Sequence, residues 1–340
     1  MTDQQKFLIV SLGSIGLRHL RNLRALRPDS MIAALRTHGA PGDSPAEGCD
    51  AEFTTMDQVA AFAPDAAIVA GPASSHVAIA AQLIGMGVDV FVEKPLSDNH
   101  ADAVSLVKAA KARGVILMTG YSLRFMPSLI EARRRVLAGE IGDVLSVRAE
   151  VGQYLPSWRP GADYRTSVSA QRSLGGGALL ELSHELDYIL WCFGMPDNVF
   201  AVGGRYSSLD IDVEDLAEII LGYDNPRRIV SIHLDFLQHS ASRQCKFIGS
   251  AGTLIWDGVA DCIETRFGPN DPRNETHGPF TNDRNAMYVD ELRHFLDCAD
   301  NRSTPLIDGV QGAAVVCLID AARQSIESGR IIQLGRDGHE

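Results

Sequence analysis

Phe7-Leu8-Ile9-Val10-Ser11-Leu12-Gly13-Ser14-Ile15-Gly16-Leu17-Arg18-His19-Leu20 is the stretch that decides the fold. Phe7–Ser11 reads as a buried strand and the glycines as a sharp turn. Leu20, Leu23 and Leu26 then fall on one face of a helix over Ile15–Leu26. A strand that turns into a helix through Ser11-Leu12-Gly13-Ser14-Ile15-Gly16 has the layout of the dinucleotide fingerprint, with glycines at its first, third and sixth positions. Gly13 and Gly16 match the second and third glycines, and Ser11 replaces the first. Gly13 would let backbone approach a pyrophosphate, Gly16 would let helix pack on strand, and the helix start offers free N–H groups to phosphates. The expected cofactor-binding turn is therefore Gly13, Ser14, Ile15 and Gly16. A glycine turn that binds nothing is the alternative reading of this motif taken alone.

Working outward, the next strands are Met31–Leu35, Ala66–Ala70, Asp89–Glu93 and Val115–Gly120, with helices from Ser75 to Met86 and from Asp98 to Ala112. Strands alternating with helices imply βαβ units and a doubly wound parallel sheet. The pattern changes after Tyr121. Val144–Gln153 alternates apolar and polar residues, as one covered face of a sheet requires. Val199–Tyr206, Asp215–Tyr223, Arg228–Leu237, Arg243–Ile248 and Thr253–Asp257 follow with few helices between them, which favours antiparallel pairing. Helices are expected at Ala178–Cys192, Asn285–Asp300 and Gly309–Ser328, and Gly268–Pro279 reads as a mobile surface loop. The expected organisation is a Rossmann-type α/β domain over residues 1–120 and an α+β domain with a large, mainly antiparallel sheet over 121–340.

Length and composition bound the function. The 340 residues exceed the size of one hydrophobic core, and the 45% hydrophobic and 22% charged content is that of a globular protein. The net charge of −12 argues against a nucleic-acid partner. The six cysteines form no CxxC pair and no spacing with histidine that would hold a metal, so buried, reduced thiols in a cytoplasmic protein are expected and no metal is. No apolar run is long enough to span a bilayer, and the N-terminus lacks a signal-peptide pattern.

Four features carry chemistry. Arg36 stands at the end of the second strand, where dinucleotide-binding chains usually hold an acid for the ribose. A cation there could pair with a 2′-phosphate, which leans the cofactor toward NADP; an arginine that touches nothing is the alternative. Lys94, in Glu93-Lys94-Pro95, ends a parallel strand, where ligands of such sheets lie. It could steady a developing alkoxide, although a lone strand-end lysine is more often a surface residue. The loop Gly175-Gly176-Gly177 leads into an apolar helix on which Glu181, His184 and Asp187 recur every three residues, and His184 suits proton transfer near neutrality. A structural histidine is the more frequent outcome for that pattern alone. Tyr154, Trp158, Arg159, Asp163, Tyr164 and Arg165 cluster ahead of this loop; aromatics stack on sugar faces and arginines grip carboxylates or phosphates, while packing alone explains any single one of them equally well.

Taken together, these segments resemble the Gfo/Idh/MocA oxidoreductases over nearly the whole chain. The resemblance rests on Leu12–Gly16, Pro72-Ala73-Ser74-Ser75-His76, Glu93-Lys94-Pro95, Tyr121-Ser122-Leu123-Arg124-Phe125, the triple glycine followed by His184 and Asp187, and Gly249-Ser250-Ala251-Gly252-Thr253. It implies an NAD(P)-dependent enzyme acting on a sugar or sugar-derivative carbinol, with Pro72, His76, Glu93 and Lys94 beside the cofactor. It also implies that His184 takes the hydroxyl proton while Lys94 orients the hydroxyl, and that Glu181 and the aromatic cluster face the substrate. A cis Lys94–Pro95 bond, an open-faced second-domain sheet and a homodimer or homotetramer through that sheet are implied as well. The chain departs from the pattern at Ser11 and at position 180, where many relatives carry an aspartate and this chain has Leu180. Some relatives look like NAD-using glycosidases that oxidise transiently and eliminate. A non-catalytic dinucleotide sensor would be expected to lack Lys94 or His184, and both are present.

Overall fold

The structure, a computed structural model, describes residues 4–37, 45–281 and 283–335. The chain divides into two compact units: Met1–Ser122 with Tyr288–Val316, and Leu123–Met287 with Cys317–Glu340. The return of 288–316 to the first unit is a long-range event that a linear reading of the chain does not show.

In the first unit, β1 (Lys6–Val10), β2 (Met31–Leu35), β3 (Ala51–Phe53), β4 (Ala66–Val69), β5 (Asp89–Glu93) and β6 (Leu117–Gly120) form an all-parallel sheet in the order β3-β2-β1-β4-β5-β6. Helices α1 (Ser14–Leu26), α2 (Met56–Phe62), α3 (Ala73–Gly85) and α4 (His100–Arg113) connect the strands. This is the doubly wound Rossmann order, and its direction reverses between β1 and β4. The strands read as continuous apolar runs because both faces are covered: Leu8, Val10, Val69, Val90 and Val92 are buried among Leu83, Leu106 and Val316, and the alternate residues Phe7, Ile9, Ile68 and Phe91 are buried as well. Thr55 starts α2 with a full capping box, and the Asn99 side chain accepts from the Asp102 N–H at the start of α4. α1 starts differently. Its N-cap is Gly13, no side chain caps it and no acid sits in its first turn.

The second unit is built on a nine-stranded sheet in the order β14-β13-β12-β11-β7-β10-β9-β8-β15. Its strands are β7 (Val144–Gly152), β8 (Asn198–Gly204), β9 (Leu216–Asp224), β10 (Arg227–Asp235), β11 (Ser242–Gly249), β12 (Thr253–Asp257), β13 (Cys262–Arg266), β14 (Glu275–His277) and β15 (Ile332–Gln333). The β7–β10 pair is parallel and the rest pair antiparallel. One face buries Val147, Ile219, Leu221, Ile232, Phe247 and Trp256. α5 (Pro127–Leu137) and α7 (His184–Phe193) pack on this side: Ser128 Oγ accepts from Trp256 Nε1 at 2.9 Å, and the Tyr188 ring meets Trp256 edge-on. The opposite face carries the half-buried Phe200 and the exposed Val202, Ile220 and Ile229 among charged residues.

The long helices α8 (Ala286–Asn301) and α9 (Gly309–Ser328) close the chain. Two expectations need correction. The helix expected over Ala178–Cys192 is two helices, α6 (Ala178–Glu181) and α7, separated by Leu182 and Ser183. The segment Gly268–Pro279, expected to be only a loop, contains β14, which pairs with β13. Among the described residues, no helix is long and apolar enough to cross a membrane.

Candidate functional site

The switch point of the first sheet gathers the turns that follow β1, β2 and β4. Ser11 has φ +72°, the left-handed region that glycine tolerates best, so the backbone needs the first fingerprint glycine even though the sequence supplies serine. The Ser11 hydroxyl bonds the Thr37 hydroxyl at 3.1 Å. A Cβ on Gly16 would lie 2.0 Å from the Ser11 carbonyl oxygen, so Gly16 is demanded by close packing of turn and helix. A Cβ on Gly13 would meet nothing within 4 Å, and Gly13 has φ −68°. Among the described residues, no neighbouring atom and no backbone strain therefore demands glycine there. Open space beside a helix start with uncapped N–H groups is the geometry into which a phosphate fits.

Arg36 is placed at the end of β2 as expected, but its guanidinium is engaged. Its Nε and Nη2 donate to the two carboxylate oxygens of Glu52, each at 3.0 Å. The hydrogen bond from Arg36 holds the Glu52 carboxyl below the usual carboxylate range, and the same bond raises the arginine.

The ends of β4 and β5 are tied together by His76. Its Nδ1 lies 2.8 Å from the Pro95 carbonyl oxygen and its Nε2 lies 2.9 Å from that of Gly71. The ring is 1% exposed. Both His76 nitrogens, in a residue expected beside the cofactor, face backbone carbonyls, and the ring braces the turn that carries Lys94. Burial pulls its pKa down, and the hydrogen bonds to the two carbonyls oppose that shift. The Lys94–Pro95 bond is cis. Glu93 is buried; its Oε1 meets His19 Nε2 at 2.6 Å and its Oε2 accepts the Lys94 amide at 3.2 Å. Burial pushes the Glu93 carboxyl up, but the His19 hydrogen bond and the Lys94 charge outweigh it, and the carboxyl lies below its usual range. Glu93 thus anchors the Lys94 turn to α1. His19, which supplies the anchor, was not singled out from sequence, because an apolar-face histidine in a helix has no local mark of a partner 74 residues away.

In the second unit the triple glycine is a fitted loop. Gly175 has φ +77° and Gly177 has φ +107°. A Cβ on Gly176 would lie 2.3 Å from the Val168 carbonyl oxygen, and one on Gly177 would lie 2.3 Å from Glu214 Oε1. Glu214 caps the short helix beyond: its carbonyl accepts the Ala178 N–H at 3.0 Å and its carboxylate the Leu179 N–H at 3.1 Å. Because α6 ends at Glu181, His184 is the first residue of α7, and the three-residue rhythm does not put Glu181 and His184 on one helix face. Glu181 instead accepts from the Ser169 hydroxyl at 3.0 Å. Asp187 is held by Arg124 through bonds of 3.0 Å and 2.7 Å, with both side chains at most 2% exposed. Burial pushes the Asp187 carboxyl up and Arg124 opposes it. Asp187 and Arg124 therefore hold α7 against the segment before α5.

The aromatic cluster is partly assembled. Trp158, Arg159 and Tyr164 line a cavity of about 140 Å³ together with Asp163, Ser167 and Ser169. Ser169 links this cavity to Glu181. Tyr154 lies outside it and stacks on His239 at 4.2 Å. Arg165 is tied to Asp163 at 2.8 Å, with Asp210 at 3.9 Å. Of the two arginines, Arg159 is the one that faces the cavity.

The chain matches two family models: "Oxidoreductase family, NAD-binding Rossmann fold" over residues 5–121, and "GFO/IDH/MocA C-terminal domain" over residues 129–255. It is 27% identical to a trans-1,2-dihydrobenzene-1,2-diol dehydrogenase of Bos taurus, over 74% of each chain. It is 24% identical to scyllo-inositol 2-dehydrogenase (NAD(+)) of Bacillus subtilis, over 98% of this chain and 97% of that one. Among solved structures, GenD2 from gentamicin A biosynthesis, in complex with NAD, superposes with a TM-score of 0.82 at 27% identity, covering 98% of this chain and 97% of GenD2.

Proposed function

This chain belongs to the Gfo/Idh/MocA family of NAD-binding oxidoreductases, and from that premise we propose that it transfers a hydride between a sugar or sugar-derivative carbinol and nicotinamide. The observation that carries the proposal is the bare start of α1 at the sheet's switch point, with Gly16 demanded by the fold and Gly13 open to a ligand. The bound dinucleotide would supply a nicotinamide C4 that accepts or gives the hydride. Gly13, Ser14, Ile15 and Gly16 would hold its pyrophosphate, with Pro72 alongside.

His184 would take the hydroxyl proton on its imidazole as the carbinol is oxidised and return it in the reverse direction. Lys94 would donate a hydrogen bond to that hydroxyl oxygen and stabilise the developing negative charge. Glu93 and His76 would fix the turn from which Lys94 projects. Trp158 and Tyr164 would present ring faces to a sugar, and Arg159 would bind a charged substituent if the sugar carries one. We further propose that Val202, Ile220 and Ile229, exposed in neighbouring strands of one sheet face, are covered by a second copy of the chain.

The test is a screen of sugars, sugar acids and nucleotide sugars with NAD and NADP, following reduced-nicotinamide absorbance. With any substrate found, Lys94→Ala and His184→Ala should each slow turnover by about 100-fold or more. Parental rates in both variants would overturn the residue assignment.

A further inference from the structure

The end of β2 lacks the acid that usually receives a ribose 2′-hydroxyl, and the cation that replaces it is already occupied. Glu52 comes from β3, the neighbouring strand, where Ala34 of β2 pairs with it in register. Its carboxylate accepts both Arg36 bonds and a third from the Ala46 N–H at 2.8 Å. The Glu52 side chain is 4% exposed and that of Arg36 27%. A 2′-phosphate could claim Arg36 wholly only by drawing it away from Glu52, which would leave that nearly buried carboxylate without its counter-charge and with the Ala46 N–H as its remaining donor; removing the partner of a buried charge is unfavourable. If Arg36 stays in place, the phosphate meets a pair of zero net charge with a carboxylate behind it. A 2′-hydroxyl asks for much less, a single hydrogen bond from a guanidinium N–H that Glu52 does not use.

We propose that Glu52, by holding Arg36 in this two-point pair, makes the chain prefer the dinucleotide without a 2′-phosphate. Glu52 acts through Arg36 and need not touch the cofactor. The proposal rests on dinucleotide binding at the Gly13–Gly16 turn, as argued above, and it reverses the lean toward NADP that an unoccupied Arg36 would justify.

The experiment titrates NADH and NADPH into the parent, Glu52→Gln and the double variant Glu52→Gln/Arg36→Gln, following nicotinamide fluorescence. The parent should bind NADH at least about tenfold more tightly than NADPH. Glu52→Gln, which frees the arginine's charge, should move that ratio toward NADPH by about tenfold, and the double variant should lose the gain. A purely structural Glu52 would weaken both nucleotides alike and leave the ratio unmoved. An unchanged ratio in Glu52→Gln, or a gain that persists without Arg36, overturns the proposal. Should Glu52→Gln fail to fold, competition on the parent decides: 2′,5′-ADP should displace NADH no better than 5′-ADP, and markedly stronger displacement overturns the proposal. A parent that binds neither nucleotide overturns the dinucleotide reading, and this proposal with it.

Discussion

Ser11 occupies a left-handed backbone position that its side chain disfavours, and its hydroxyl recovers part of that cost through Thr37. Ser11→Gly should relieve strain of roughly 1 kcal/mol and give up a hydrogen bond of similar worth, leaving the thermal midpoint close to the parent's. Ser11→Val, β-branched at positive φ, should lower stability by about 2 kcal/mol or more in urea unfolding. Arg124 is the buried partner of Asp187, so Arg124→Ala should cost about 3–5 kcal/mol on the same assay; a loss below about 1 kcal/mol would show that the pair does not hold α7. His233 makes a pH prediction. Its hydrogen bonds to Asp235 at 2.7 Å and Glu218 at 2.6 Å raise its pKa to about 9, from the ordinary 6.5. The folded value lies above the unfolded one, so the stabilisation is complete below about pH 6.5 and fades as pH rises through about 9. Thermal melts between pH 6 and 10 should show that loss in the parent and a flatter profile in His233→Gln.

At the scale of elements, β1, α1, β2, β4 and β5 were legible because each is a local pattern: an apolar run, a glycine turn, a periodic helix. The break between α6 and α7 was not. Ala178–Cys192 has the composition of one helix, and the contacts that surround α6 are remote in sequence: Ser169 donates to the Glu181 carboxylate, and Glu214 caps the start. β3 and β14 are three residues each, too short to show periodicity. The roles of the candidate residues were only half readable for the same reason. Lys94 and Gly13–Gly16 announce themselves by motif, whereas the partners that occupy Arg36 and His76 are remote in sequence or are backbone atoms. The glycine loop gives a test at this scale. Gly177→Ala puts a Cβ at φ +107° and 2.3 Å from the Glu214 carboxylate, so it should destabilise the chain by about 2 kcal/mol or more, whereas alanine at Gly139, whose Cβ would have open space, bears only the strain of its φ of +73°.

At the scale of the whole molecule, the chain couples a nucleotide-binding unit to a unit whose sheet leaves apolar residues exposed in neighbouring strands. If a second copy covers that face, sedimentation should show a dimer or larger species for the parent, and Ile220→Asp with Ile229→Asp should shift it toward monomer with secondary structure intact. The central claim, that the turn between β1 and α1 is built for a dinucleotide, is tested most directly at Gly13. Nothing among the described residues requires glycine there, so Gly13→Ala should leave the melting temperature at the parent's value. Its methyl group would occupy the space a pyrophosphate needs, so NADH affinity should fall by about tenfold or more. Parental NADH affinity in a stably folded Gly13→Ala protein would contradict the account.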